Sequence, residues 1–143
     1  MRTTDDLHWS AVTARALLLI RILVGWVFVS EGIQKFIFPM QLGAGRFRQI
    51  GIPEAQYMAP FVGTVEIACG TLLLIGFLTR LAAIPLLAVI LTAIVTTKLP
   101  MILKNGVWSM LHEARTDISM LLGLVFLMVT GAGSISLDAR KIR

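Results

Sequence analysis

Gly63-Thr-Val-Glu66-Ile-Ala-Cys69-Gly70-Thr-Leu-Leu-Leu-Ile-Gly76-Phe-Leu-Thr79-Arg80 is the stretch on which the fold turns. It is apolar for most of its length, carries one carboxylate at Glu66, and ends on a Thr-Arg pair. On a helix in water a lone Glu would say little. Within an apolar segment it costs about 3 kcal/mol or more unless it is paired or protonated. Something elsewhere in the chain must therefore face Glu66. Gly63, Glu66 and Gly70 recur at spacings of three and four, so they share one helical face. Small residues on that face let a second helix approach closely.

The rest of the chain has the same character. Of its 143 residues, 57% are hydrophobic and 15% charged, with mean hydropathy +0.84. Soluble domains carry about 25% charge. The apolar residues fall in long blocks without period-two alternation, so the expected fold is an all-α, four-transmembrane-helix bundle in the lipid bilayer, one domain over residues 1–143. The net charge of +5 is scattered rather than gathered on one face, which argues against nucleic acid as a partner. Cys69 is the single cysteine and reads as a small packing residue. Asp5 and Asp6 stand where a signal peptide would carry basic residues, so no cleavage is expected.

The spans are expected at about 14–38, 55–77, 81–99 and 110–131. The first carries Arg21, Glu31, Gln34 and Lys35, with Arg21, Gly25, Phe28, Gly32 and Lys35 in one stripe. Glu31 and Lys35 stand i,i+4 in the order that favours a local ion pair. The third has no charge before Lys98 and reads as the most passive. The fourth has a clean apolar run only from Ile118 to Thr130, about 20 Å of helix against a ~30 Å hydrocarbon core. It is therefore expected to begin near Ser109 or Met110, which brings Glu113 and Asp117 to the membrane edge. Residues 1–13 are expected as a polar surface segment, 39–57 and 100–112 as long connections.

Four spans put both termini on one side. Lys and Arg divide evenly between the two sides, and the C-terminal Arg140, Lys141 and Arg143 point to cytoplasmic termini. Glu31, Gln34, Lys35, Glu66, Glu113, Arg115 and Asp117 then converge under the two long connections, with Arg21 on the far half. Two readings of this intramembrane cluster compete. It is either a polar network that fixes helix register, or a pocket that handles protons or the head group of a ligand. His8 and His112 are too near helix ends for haem, no Cys/His spacing suits zinc, and Met101, Met110 and His112 read as filler rather than a copper site. No catalytic residue, metal site or resident cofactor is read from the residues.

Arg21-x-x-x-Gly25 leading to Glu31-Gly32-x-x-Lys35-Phe36, then Gly51-Ile52-Pro53, then Glu66-x-x-x-Gly70 through Gly76-Phe-Leu-Thr79-Arg80, and finally Gly131-Ala-Gly-Ser-x-Ser-Leu-Asp138, together resemble the DoxX family over residues 15–139. The resemblance implies a small bacterial inner-membrane protein, multi-pass, with Gly32, Gly70, Gly76, Thr79, Arg80, Gly133 and Asp138, besides Arg21, Lys35 and Glu66, as characteristic positions. The name-giving member of the family is a membrane subunit of a thiosulfate:quinone oxidoreductase. The resemblance thus implies an accessory subunit of a membrane assembly, working with a protein partner or as a homo-oligomer near the quinone pool. A redox role would need a partner subunit or a bound quinone. The alternative is a quinone- or small-ligand-binding, proton-handling or small transport protein built around Glu66.

Overall fold

The computed structural model describes residues 4–140, and side chains from residue 11 to residue 140. Arg2, Lys141, Arg143 and the side chains of Leu7, His8 and Trp9 lie outside the described residues. Helices run over Thr4–Ile37 (α1), Ala44–Gln49 (α2), Ala55–Ile75 (α3) and Thr79–Ala93 (α4). The chain passes without a loop into a π-helical turn, Ile94–Lys98, then into α5, Leu99–Thr130, and a last short turn of helix, α6, Leu137–Arg140. No strand occurs among the described residues.

Three runs are long and apolar enough to cross a membrane: Ala11–Ile37, Ala55–Ile75 and the 52-residue run Thr79–Thr130. At about 1.5 Å per residue the third is more than twice the thickness of the hydrocarbon core. It does not continue straight. Gly106 sits at φ 80, ψ 168, a backbone conformation essentially confined to glycine, and the two arms fold back on each other. Arg80 Nη2 donates to the Val129 carbonyl at 3.0 Å near one end. Lys98 Nζ lies 3.3 Å from Asp117 Oδ2 near the other. The expected bundle is thus built from three apolar runs, the third a hairpin. Residues 100–112, expected as a connection, are helical on both sides of Gly106, and the last helix resumes at Val107. Pro100 does not stop α5 because it lies in the first turn, where no N–H is needed. The segment expected as polar surface is also helical from Thr4.

The stripe on α1 is its buried face. A Cβ on Gly25 would come 2.8 Å from the Gly70 carbonyl oxygen, and one on Gly32 would come 2.6 Å from that of Gly63. Backbone therefore lies on backbone, antiparallel, in the small-residue packing that replaces hydrophobic burial in lipid. Val24 and Phe28 of α1, Leu73 of α3, Leu86 of α4, and Leu124 and Leu127 of α5 fill the centre. Leu19, Trp26, Phe61, Leu122 and Val129 are each more than half exposed, which is what acyl chains require of the outer surface.

Arg21 is 1% exposed and works at the end of the bundle that carries both termini. Its Nε and Nη2 donate to the carbonyls of Leu73 (2.9 Å) and Leu74 (2.8 Å). Those belong to the last turn of α3, where the Leu73 carbonyl also accepts the Gly76 N–H at 3.2 Å. Nη1 donates to Ala132 (3.0 Å) and Ile135 (2.6 Å), fastening the segment after α5. That segment is tied again by Asp138, whose carboxylate accepts the N–H groups of Leu78 (2.8 Å) and Thr79 (3.1 Å). The carboxylate caps α4 just where Leu78 is held at φ 49.

Arg21→Met would take a donor from four carbonyls, at roughly 1–3 kcal/mol for each left buried without another partner; Leu73 keeps the Gly76 N–H at 3.2 Å. We expect a large fall in the thermal midpoint measured in detergent, and a much smaller one for Arg80→Gln, whose side chain is exposed.

Candidate functional site: a charged cavity at the opposite face

At the opposite end of the bundle from Arg21, α1, α3, α4, the π turn and α5 line a partly open cavity of about 640 Å³. The connection after α1 covers it. Phe47 of α2 packs on Ala55 and Ala59 of α3, which fixes α2 over the opening, and Leu42, Arg46, Phe47 and Ile50 form that wall.

Glu66 lies in the lining and is 4% exposed. Its partner is Lys35, whose Nζ is 2.7 Å from Glu66 Oε2. That separation is the length of a charge-assisted hydrogen bond from the ammonium to the carboxylate. The pair is interhelical, which corrects the expected Glu31–Lys35 bridge. Lys35 meets only the backbone carbonyl of Glu31, at 3.5 Å. Glu31 is exposed, whereas Glu66 is sealed from water, so a cation is worth more to Glu66. The close approach of Gly32 to Gly63 brings the two helices near enough for the pair to form.

A second pair, Lys98–Asp117, joins the π turn to α5 in the same lining, with side chains 17% and 21% exposed. The helix expected to be passive therefore supplies a whole wall: Ala88, Val89, Thr92, Thr96, Thr97 and Lys98. The extra residue of a π turn rotates the helix beyond it, and such turns recur at functional sites. Each threonine hydroxyl donates backwards to a carbonyl of its own helix, Thr92 to Ala88 (2.8 Å), Thr96 to Thr92 (2.7 Å) and Thr97 to Ala93 (2.6 Å).

Of the residues singled out from sequence, Glu31, Lys35, Glu66 and Asp117 share this cavity. Arg21 lies at the other end of the bundle. Gln34 turns to Ser30 Oγ at 3.4 Å, and Glu113 is exposed on α5; neither lines the cavity. Arg115 Nη1 and His112 Nε2 are 2.7 Å apart on the outside of α5. Arg46, the threonines and Lys98 are site residues that residue order does not single out. The i,i+4 pair Thr92 and Thr96 in an otherwise apolar span is a usable signal, while the π turn leaves none. Among the described residues no three His, Cys, Asp or Glu side chains gather to hold a metal ion.

A family model for DoxX matches residues 16–99, from α1 through the π turn. The chain belongs to the DoxX family. It is similar to "Uncharacterized membrane protein Rv3486" of Mycobacterium tuberculosis, at 56% identity over 131 residues, 87% of this chain and 80% of the relative. It is also similar to "Putative oxidoreductase CatD" of Bacillus subtilis, at 29% identity over 121 residues, 85% of this chain and 83% of the relative. No solved structure matches the chain. The matched region contains the buried ion pair, the glycine contacts and the threonine wall, but not Asp117 or the C-terminal clamp.

Lys35→Met strands a buried carboxylate, and we expect about 3–5 kcal/mol of destabilisation. Replacing both members, Lys35→Met with Glu66→Leu, should return most of it. Thermal unfolding of the wild type and the three variants checks this cycle.

Proposed function

We propose that this DoxX protein is a small accessory subunit of a redox assembly in a bacterial cytoplasmic membrane. It holds a neutral amphipathic ligand of the quinone class in the cavity around Glu66. The observation that carries the reading is a buried ion pair, Lys35–Glu66, in the lining of a cavity whose walls are mostly apolar.

The cavity suits such a ligand in three ways. Its volume is within the ~300–1,000 Å³ usual for small-molecule sites. Its lining carries three cations, Lys35, Arg46 and Lys98, against three anions, Glu31, Glu66 and Asp117, so it selects no net charge. Its apolar side, Leu42, Ile50, Met58, Val62 and Val89, suits an alkyl or isoprenoid chain. Lys35 and Glu66 would hold the polar end of the ring, and the threonines and Arg46 would border it. A quinone bound there would supply reversible two-electron, two-proton chemistry to a partner subunit. The name of the Bacillus subtilis relative supports a redox setting. The cations of the C-terminal tail support termini in the cytoplasm, which would open the cavity towards the outer face.

The test is extraction in mild detergent from quinone-bearing membranes, with mass spectrometry of bound lipids. Wild type should retain quinone at near one per chain. The Lys35→Met, Glu66→Leu variant, folded but with an apolar lining, should retain at least tenfold less. Wild-type protein free of quinone would sink the proposal.

A further inference from the structure

We infer that the ligand enters the cavity sideways from the bilayer, through a slot between α3 and α4, and that its hydrocarbon tail stays in that slot. This deepens the quinone-class reading above and rests on it. The occupant is then an amphiphile taken from lipid and not from water.

The slot begins where the packing between α3 and α4 ends. Near the turn that joins them, Leu73 of α3 and Ala82, Ala83, Leu86 and Ile90 of α4 are buried in one core, with Leu72 and Cys69 against it. At about 100° per residue, Leu72, Cys69, Val62 and Met58 fall in one sector of α3 about 80° wide. The first two pack on the core, while Val62 and Met58 line the cavity. The buried residues of α3 at this level face other helices. Gly63 lies against Gly32 and Phe36 of α1, Glu66 meets Lys35, and Ala55 and Ala59 meet Phe47 of α2. On α4 and the π turn, no residue from Leu91 to Lys98 is buried. Here the cavity stands between the two helices where packed side chains stand nearer the turn.

The cavity continues round the flank of α4. Ala88 is two residues from Leu86 and two from Ile90, so it points about 160° away from both, and both are buried in the core. Ala88 nevertheless lines the cavity and is exposed, as is Thr92 one turn on. A lining residue on the side of its helix away from the core places an opening on the flank of the bundle. Depth decides what lies outside it. Ala88 is nine residues from Thr79, the start of α4, about 14 Å along the helix and near the middle of a ~30 Å hydrocarbon core. Glu66 is nine residues from Ile75, the end of α3, and so lies at the same level. Acyl chains, not water, meet the opening. A ring can reach Lys35 and Glu66 there without leaving the hydrocarbon layer and without passing the α2 wall, which Phe47 holds against α3. Met58, Val62 and Ala88 give the tail an apolar path, and the Thr92 hydroxyl is turned back onto the Ala88 carbonyl at 2.8 Å, which takes its O–H out of that path.

The experiment is photolabelling of the full chain in nanodiscs of phosphatidylethanolamine and phosphatidylglycerol. The probe is a benzoquinone whose isoprenoid tail carries a diazirine close to the ring, added with and without excess unlabelled quinone. Labelled residues are mapped by mass spectrometry. Labelling that the competitor suppresses should fall on Met58, Val62, Ala88 or Thr92; labelling that it does not suppress is the background of any lipid-facing surface. Ala88→Phe with Thr92→Phe fills the slot from positions outside the core. It should weaken binding of the tailed quinone at least tenfold and binding of the same ring without a tail far less. Suppressible labelling confined to Leu42 and Ile50 at the α2 wall, or to α1 and α5, overturns the slot and leaves the quinone reading standing. Undiminished binding of the tailed quinone by the double variant does the same. The labelling pattern decides the inference even if that variant does not fold. Absence of any suppressible labelling overturns both.

Discussion

A charge buried in hydrocarbon has no water to fall back on, and α1 and α3 together carry two such charges. Both are met by the same helix–helix contact. At one end Arg21 of α1 closes the open carbonyls of α3; at the other, Lys35 of α1 neutralises Glu66 of α3. Between them the two glycine contacts set the spacing. The register of the pair is thereby pinned at two levels, since sliding α1 by one turn would strand an arginine and a carboxylate together. Everything else packs against this unit.

The two ends use their charges in opposite ways. Arg21 gives four of its five N–H groups to backbone carbonyls. Gly76, Thr79, Arg80 and Asp138 gather here too, and the missing side chain of Gly76 makes room for the guanidinium. They describe a clamp that keeps the segment after α5 against the α3–α4 turn. Glu66 is paired with Lys35 in the lining of the cavity.

The helical class, the glycine faces and the need for a partner to Glu66 can be read from residue order, because they depend on composition and on 3.6-residue periodicity. The partner itself is harder. Glu31 and Lys35 stand at a spacing that favours each other, and only the burial difference between Glu31 and Glu66 reveals why Lys35 crosses to α3. Arg21 can be placed on the far half of α1, but its acceptors include carbonyls more than a hundred residues away, which no periodicity encodes. The threonine wall is hidden for a different reason. Thr, Ala and Val satisfy a membrane helix whether they face lipid or a cavity, and the π turn that places Lys98 against Asp117 leaves no pattern in the residues.

The fold at Gly106 bears on how the chain reaches the membrane at all. Each arm of that hairpin brings a charge towards the bilayer, Lys98 on one and Asp117 on the other, and neither arm is electrically neutral alone. Folded back, Lys98 and Asp117 pair. The unit that partitions into lipid at lowest cost is therefore the closed hairpin rather than either helix in turn, and the glycine that allows the fold lets the two arms enter as one body.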